Sequence, residues 1–302
     1  MHTPGYLKKG DRIALLSPSR AISQQQTDIA KQVFTSWGLE VIEGRHTYSK
    51  YNQFAGTDEE RAEDFQTMMD DGRIRAIFCN RGGYGAVRII DKLDFSMFVE
   101  DPKWIVGYSD FTVFHSHIQR NFNIETLHAV MPVNITTPDN LHPSLSSLKK
   151  ALFGDTLTYN LPKADRQRAG NAKGILTGGN LSILYSLLGS RSDVDTSGKI
   201  LFLEDLDEYL YHIDRMMMAL KRAGKLDNLA GLIVGGMSKM RDNEIPFGKT
   251  AEEIIMDAVS GYDYPVYFGF PAGHVDDNGA MIFGREVKIT VGEEFNLTFQ
   301  VS

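Results

Sequence analysis

The chain has 302 residues, of which 42% are hydrophobic and 24% are charged, and its formal net charge is −7. This composition is typical of a soluble globular protein and excludes a disordered or fibrous chain. The acidic balance argues against nucleic acid or an anionic membrane as the main partner. No window approaches the roughly 18 consecutive apolar residues of a membrane-spanning helix, and the single cysteine, Cys79, excludes an internal disulfide. We therefore expect a cytoplasmic protein with one large or two modest domains.

Short apolar runs alternate with helical patterns through the first half of the chain. Strands are predicted at DRIALLSPS, LEVIEG, RAIFCN and WIVGY, and helices at SQQQTDIAKQVFTSWG, TDEERAEDFQTMMDDG, GAVRIIDKL and FTVFHSHIQRN. The second of these helices begins with a capping box formed by Thr57 and Glu60. Alternating strands and helices with short connections predict βαβ units and a parallel sheet.

The pattern loosens after Pro132, where sequence rich in Pro, Asn and Thr lacks hydrophobic periodicity. We interpret residues 136–171 as an interdomain connection that carries one short helix. A second unit of strands and helices begins near Ala172 and ends with the strands VYFGFPAGH, GAMIFGREVKITV and FNLTFQVS. The expected organisation is an N-terminal α/β domain at 1–135, the connection, and a C-terminal domain at 172–302.

The stretch WIVGYSDFT places Ser109 at the turn between a predicted strand and a predicted helix. Such a turn is typical of a nucleophile elbow, which presents a serine hydroxyl at the carboxyl edge of a sheet. The G-x-S-x-G pattern is met only in part, because Phe111 stands where the second glycine would be. Serine is also a favoured helix N-cap, so this stretch alone leaves both roles open.

The glycine-rich sequence RGGYG, residues 81–85, follows the predicted strand RAIFCN. It lacks the spacing of a dinucleotide fingerprint and the G-K-[ST] of a phosphate-binding loop. Because the carboxyl ends of parallel strands share one sheet edge, this loop and the Ser109 turn are expected to meet. Their backbone N–H groups could then form an oxyanion hole, although an ordinary tight turn would account for the glycines as well.

A catalytic serine needs a base and an acid that orients the base. Of the eight histidines, His274 lies in the Pro/Gly loop FPAGHVDDNG, where a packing role is not evident, although a solvated loop histidine remains an alternative. Glu204 ends the apolar strand KILFLE, and its alternative is a solvated helix start. No histidine has metal-ligand spacing beside this acidic turn, so no metal site is expected. We predict a packing role for Cys79 within its strand.

Six motifs in order resemble the LD-carboxypeptidases of the serine peptidase S66 type: SPS after the first strand, CNRGGYG, VGYSDFT, LTGGNLS, FLEDLDEYLYHIDRM and GFPAGH. The resemblance extends over nearly the whole chain. It implies an α/β fold with an N-terminal parallel sheet flanked by helices, as in class I glutamine amidotransferases. A smaller C-terminal β-rich α/β domain would follow.

The same resemblance implies a catalytic triad split between the domains, with Ser109 on the first and Glu204 and His274 on the second. Backbone N–H groups of Gly83 and Asp110 would form the oxyanion hole. The substrate-binding residues would include the glycine-loop residues Arg81, Gly82 and Tyr84, while Arg88 and Arg241 are further candidates to bind substrate carboxylates.

The activity implied by the resemblance is release of the terminal D-alanine from cytoplasmic murein tetrapeptide during peptidoglycan recycling. No metal or organic cofactor is expected, and relatives of this type are often homodimers. The third residue of the peptide, diaminopimelate or lysine, stays open.

Two other functions stay open at this point. Some family members resemble microcin-immunity peptidases, which hydrolyse a peptidyl or aminoacyl link to a nucleotide analogue. Those relatives tend to be longer, with an added loop that stacks on the base, so the compact chain favours a murein substrate. The other function is a non-catalytic peptide- or sugar-binding module that uses the interdomain cleft.

Overall fold

The computed structural model describes residues 1–138 and 142–300. The strands are β1 Arg12–Leu16, β2 Glu40–Glu43, β3 Ile74–Cys79, β4 Trp104–Gly107, β5 Thr126–His128, β6 Thr158–Pro162, β7 Gln167–Arg168, β8 Gly170–Asn180, β9 Ile200–Leu206, β10 Gly231–Ser238, β11 Val266–Phe268, β12 Met281–Phe283, β13 Glu286–Val291 and β14 Glu294–Phe299. The α-helices are α1 Asp28–Ser36, α2 Asp58–Asp70, α3 Ser96–Glu100, α4 Thr112–Phe122, α5 Pro143–Phe153, α6 Leu181–Ser186, α7 Leu210–Arg222 and α8 Ala251–Ala258.

The first sheet has the order β2-β1-β3-β4-β5-β12. Its first five strands are parallel, and β12 pairs antiparallel with β5. The strands β1, β3 and β4 are almost entirely buried apolar runs, which is the pattern of parallel strands covered on both faces. Their carboxyl ends lead into the three loops that carry SPS, RGGYG and GYSD. This parallel sheet confirms the predicted α/β fold.

The second sheet has the order β6-β14-β13-β8-β9-β10-β11-β7. Strands β8 to β11 are parallel to one another, whereas β6, β14, β13 and β7 pair antiparallel. Helices α6, α7 and α8 contribute buried side chains to a cluster with β9 and β10, including Leu184, Met217 and Ile255. The second half is therefore also α/β, with β-hairpin strands along one side.

Two segments of the chain pair with strands that the predicted domain boundaries do not assign to them. The segment 136–171, predicted as a connection with one short helix, contains α5 and also β6 and β7, which pair with β14 and β11 of the second sheet. Conversely β12, from the C-terminal third of the chain, joins the first sheet. Residues 139–141 of the predicted connection and residues 301–302 of the predicted C-terminal domain lie outside the described residues. One buried cluster contains both Val106 of the first sheet and Phe202 of the second. The two sheets therefore share a hydrophobic core, and the catalytic candidates lie where they meet.

One predicted element is wrong. GAVRIIDKL forms two short 3-10 turns, Ala86–Arg88 and Ile90–Lys92, rather than an α-helix. The segment is short and contains three β-branched residues with low helix propensity, so tertiary packing decides its conformation. By contrast, the predicted capping box at Thr57 is present, with Glu60 N–H donating to Thr57 Oγ1 at 3.2 Å.

Across the two described ranges, no helix combines the length and the apolar character needed to cross a membrane.

Candidate active site

The turn after β4 holds Ser109 in an unusual backbone conformation. Ser109 has φ = +64°, in the left-handed region that non-glycine residues rarely adopt. At Gly107 a Cβ atom would lie 2.7 Å from the Phe111 ring and 3.0 Å from Cys79 Cβ, so only glycine permits this tight turn. Such strain costs about 1–3 kcal/mol and is concentrated at functional sites. The surrounding packing therefore forces the serine out of the strand direction before α4 begins.

The glycine loop packs directly against this serine. A Cβ atom at Gly82 would lie 3.0 Å from Ser109 Cβ and 3.5 Å from the backbone nitrogen of Asp110. The next residue, Gly83, has φ = +112°, which again favours glycine. The two predicted oxyanion donors, the N–H groups of Gly83 and Asp110, thus lie on adjoining loops.

The side chain of Asp110 ties three loops together. It is 1% exposed, and its Oδ2 accepts hydrogen bonds from Ser19 Oγ at 2.5 Å and from the N–H of Ala86 at 2.9 Å. Burial raises the pKa of this carboxyl, although the two hydrogen bonds oppose the shift. Asn80 Nδ2 also donates to Ser17 Oγ at 3.1 Å. Sequence reasoning assigned no role to Ser17 and Ser19, although the SPS motif at the end of β1 was the available signal.

On the other side of the cleft, His274 is held by Glu204. The carboxyl Oε2 lies 2.7 Å from His274 Nδ1 and also accepts the His274 backbone N–H at 3.2 Å. Glu204 is fully buried on β9, while His274 follows Gly273, where a Cβ atom would lie 2.5 Å from Glu204 Oε2. A carboxylate can only accept, so when the imidazole is neutral its proton is on Nδ1 and Nε2 carries the free lone pair.

The electrostatic surroundings favour the protonated form of His274. Burial alone lowers the pKa of this imidazole, but the hydrogen bond and charge of Glu204, together with the charge of Asp205, outweigh burial and raise its pKa above the ordinary 6.5. The ring of Tyr108 packs beside the imidazole with centroids 4.9 Å apart. The imidazole is thus both oriented and made more basic by its surroundings.

One open cleft of about 580 Å³ brings the two sides together. Its lining includes Ser109, Gly82, Gly83 and Asp110 from the first half of the chain and His274 from the second. The structure therefore places a strained serine and a carboxylate-bound histidine on the walls of the same cleft. A nucleophile, a base and an orienting acid are the parts that acyl transfer needs.

Of the side chains predicted to bind substrate, Arg81 lines the cleft and Tyr84 does not, among the described residues. Arg81 lines the cleft, and its Nη1 donates to Ala21 O at 3.3 Å. Tyr84 is 43% exposed and packs against Phe54, with ring centroids 6.1 Å apart. It is not among the described residues that line the cleft.

The two further carboxylate-binding candidates are both engaged in ion pairs. Arg88 donates from Nε to Asp58 at 2.9 Å, outside the cleft lining. Arg241 pairs with Asp207, whose side chain is at the cleft wall. Each guanidinium therefore has part of its five donors and its charge engaged by a protein carboxylate.

Asp205, to which the sequence analysis assigned no catalytic role, lines the cleft and is the neighbour of Glu204 on β9. It is 2% exposed and accepts from Asn180 Nδ2 at 3.0 Å and from the N–H of Ser182 at 2.8 Å. Burial, followed by repulsion from Glu204, raises the pKa of this carboxyl to about 7. The motifs LTGGNLS and FLEDLDE were the available signal, because they contain the carboxyl ends of the neighbouring parallel strands β8 and β9.

Two other side chains with reactive groups, Cys79 and His115, are buried and have packing or hydrogen-bonding roles. The Cys79 thiol is buried, and burial raises its pKa, which agrees with the predicted packing role. His115 contacts Gly107 O at 2.9 Å and Thr126 Oγ1 at 2.8 Å, and burial lowers its pKa to about 4. In the part of the chain that the structure describes, no group of three or more His, Cys, Asp or Glu could hold a metal ion.

Two protein-family models match the chain. The LD-carboxypeptidase N-terminal domain matches residues 13–129, and the LD-carboxypeptidase C-terminal domain matches residues 173–289. A probable murein peptide carboxypeptidase of Bacillus subtilis is 33% identical over 296 residues, covering 97% of this chain and 93% of that protein. The murein tetrapeptide carboxypeptidase of Pseudomonas aeruginosa is 27% identical over 288 residues, covering 91% of each chain.

Solved structures show the same likeness. The muramoyltetrapeptide carboxypeptidase from Oxalobacter formigenes has a TM-score of 0.87 and 26% identity, covering 95% of this chain and 98% of that chain. The microcin C7 self-immunity protein MccF, in complex with aspartyl sulfamoyl adenosine, has a TM-score of 0.88 at 20% identity and covers 98% of each chain. The second likeness is one of fold alone.

Proposed function

Because this chain belongs to the LD-carboxypeptidase family of serine peptidases, we propose that it releases the terminal D-alanine from murein tetrapeptide. In this proposal Ser109 is the nucleophile, His274 the base and Glu204 the acid that orients the base. The observation that carries the proposal is the contact between the buried Glu204 and His274, because His274 lines the same cleft as the strained Ser109.

The proposed reaction assigns one role to each of these groups. His274 Nε2 takes the proton of Ser109 Oγ as the oxygen attacks the carbonyl carbon that precedes D-alanine. The N–H groups of Gly83 and Asp110 stabilise the resulting oxyanion. His274 then gives its proton to the nitrogen of D-alanine, which leaves as the C–N bond breaks. A water molecule repeats the sequence on the acyl-enzyme and regenerates Ser109.

Glu204 acts through His274 and does not touch the substrate. Its carboxylate holds the proton on Nδ1, so that Nε2 is free to act as the base, and it stabilises the imidazolium that forms. The chemistry requires neither a metal nor an organic cofactor.

We also place the enzyme in cytoplasmic peptidoglycan recycling. We expect the protein to form a homodimer, and light scattering of the purified protein would test this oligomeric state.

Mass spectrometry of purified murein tetrapeptide, incubated with and without the enzyme, tests the proposed function. We expect conversion to tripeptide with release of one D-alanine, and loss of turnover by roughly 10⁴-fold or more in Ser109→Ala. Parallel reactions with diaminopimelate and lysine peptides identify the third residue. If wild-type protein releases no D-alanine from either peptide, the proposed function is wrong.

The microcin-immunity alternative is tested in the same experiment. MccF structures with aspartyl sulfamoyl adenosine and glutamyl sulfamoyl guanosine share the fold of this chain. An additional reaction with aspartyl sulfamoyl adenosine therefore compares the two substrate classes directly. Cleavage of this compound without cleavage of tetrapeptide would favour the alternative, whereas tight binding of peptide without any turnover would favour a binding module.

A further inference from the structure

The cleft has a cationic side chain that the mechanism above does not use. Arg20 follows the SPS motif at the end of β1 and lines the cleft together with Ser109. A Cβ atom at Gly83 would lie 2.4 Å from Arg20 Cδ and 2.8 Å from its Nε. The aliphatic part of Arg20 therefore lies on the glycine loop, and its charge is held beside the proposed oxyanion donor.

Among the residues that the structure describes, the neighbouring Arg61 and Arg81 donate to protein acceptors, whereas Arg20 does not. Arg61 is buried and donates to Pro18 O and Gly85 O while pairing with Asp58. Arg81 donates to Ala21 O. Within residues 1–138 and 142–300, no acceptor lies within hydrogen-bond or ion-pair distance of the Arg20 guanidinium. Its five donors are therefore available to a ligand.

The nearby carboxylate does not neutralise this charge. Asp110 is close enough for Arg20 to favour its ionised form. However, Asp110 Oδ2 is already bound by Ser19 and Ala86, and the side chain is 1% exposed. The guanidinium thus faces the cleft as an unpaired positive charge.

A carboxypeptidase substrate supplies the matching group. The terminal carboxylate carbon is two bonds beyond the scissile nitrogen, so it lies within about 4 Å of the scissile carbonyl carbon. A cation beside the oxyanion donors is within reach of that carboxylate. Arginine also binds carboxylates through two parallel hydrogen bonds, which lysine cannot do.

We propose that Arg20 binds the terminal carboxylate of the D-amino acid and so restricts cleavage to the last peptide bond. This inference rests on the proposed function, because it assigns a substrate group to the same cleft. Arg20 acts on the leaving-group side of the scissile bond, where it contributes binding and orientation rather than proton transfer.

The test compares two peptides, murein tetrapeptide with a free carboxylate and the same peptide ending in a carboxamide. We expect Arg20→Ala to lower kcat/KM for the free acid by about 10- to 100-fold, mainly through KM, and to leave the carboxamide reaction unchanged. Arg20→Lys should restore part of the loss. Arg45→Ala serves as the matched control, because that arginine side chain is 80% exposed and lies outside the cleft lining.

Two results would overturn the inference. One is an unchanged preference for the free acid in Arg20→Ala, and the other is an equal loss with both peptides. If the preference disappears in Arg81→Ala instead, Arg81 is the carboxylate receptor. The thermal unfolding midpoint of each variant shows whether the substitution has left the fold intact.

Binding to the inactive Ser109→Ala protein separates this inference from the proposed function. Calorimetry should show that the free acid binds more tightly than the carboxamide, and that Arg20→Ala in the Ser109→Ala background removes the difference. This binding result would support Arg20 even if the wild-type enzyme released no D-alanine, an outcome that would refute only the proposed function. Cleavage of tetrapeptide without any dependence on Arg20 would refute only the inference.

Discussion

The two walls of the cleft position their reactive groups by different physical means. On the wall from the first half, Ser109 is held by a left-handed backbone and by the close approach of Gly82 and Gly107. On the wall from the second half, His274 is held by a buried carboxylate, Glu204. The serine wall therefore depends on steric fit, whereas the histidine wall depends on the charge of Glu204 in addition to the close approach of Gly273.

This difference predicts which substitutions each wall tolerates. A side chain changed in charge but not in volume should damage the histidine wall most. A single methyl group added at Gly82 should damage the serine wall, because its Cβ atom would meet Ser109 Cβ and Oγ and the backbone nitrogen of Asp110. Four substitutions, ordered from the largest expected effect to the smallest, test this contrast.

Among the substitutions that keep the nucleophile, Glu204→Gln should have the largest effect, because it removes the charge of Glu204 with almost no change in volume. Loss of the carboxylate removes the preference for the proton on Nδ1 and the stabilisation of the imidazolium, so kcat should fall about 10²- to 10⁴-fold. Steady-state kinetics with tetrapeptide measures this change. Glu293→Gln is the control, since its side chain is 91% exposed; near-wild-type activity in Glu204→Gln would show that charge does not position His274.

Gly82→Ala tests the serine wall through volume alone. The new methyl group would lie 3.0 Å from Ser109 Cβ and 3.1 Å from its Oγ. The serine or the loop must shift by a few tenths of an ångström, and we expect kcat to fall about 10- to 100-fold. Gly261→Ala is a matched control, because nothing lies within 4 Å of its Cβ position. Equal activity of the two variants would contradict the steric account.

Ser109→Gly tests whether the backbone at the nucleophile is strained. Glycine adopts φ = +64° without a Cβ penalty, whereas alanine keeps the strain. Both variants lose the hydroxyl, yet Ser109→Gly should be more stable than Ser109→Ala by about 1 kcal/mol, or roughly 2 °C in Tm. Denaturant unfolding of the pair measures the difference. A less stable glycine variant would mean that the surrounding loops hold Ser109 without strain.

The sequence predicted the local features of this site better than the contacts between its parts. The apolar runs of β3 and β4 and the turn at Ser109 follow from nearby residues, so their prediction needed no tertiary information. The hydrogen bond from Ser19 to Asp110 joins residues 91 positions apart. No periodicity or spacing encodes such a contact, because it depends on how three loops meet at one sheet edge.

Similar reasoning explains the other differences from the structure. Tyr84, which stays a predicted substrate-binding residue, packs next to Phe54 through a tertiary contact that the glycine-loop sequence does not encode. Arg20 was not identified, since its approach to Gly83 joins two loops that are distant in sequence. The membership of β12 in the first sheet likewise depends on pairing between distant strands.

Asp205→Asn should have the smallest effect and refines the account of the histidine wall. Ionised Asp205 raises the pKa of His274, so the substitution should lower that pKa. The base must be neutral, and the acid limb of the kcat/KM profile should therefore move to lower pH, by less than about one unit. The shift is small because Asp205, with a pKa of about 7, is itself only partly ionised in this range.

Stability provides a second measurement on the same variant. The raised pKa of Asp205 means that the folded protein binds this proton more tightly than the unfolded chain does. Its contribution to stability is therefore complete below the unfolded value of 3.8 and is lost as the pH rises through about 7. Asparagine does not titrate, so the Tm of Asp205→Asn relative to wild type should increase from about pH 4 to about pH 8. A constant Tm difference with an unmoved acid limb would show that Glu204 alone sets the electrostatics of His274.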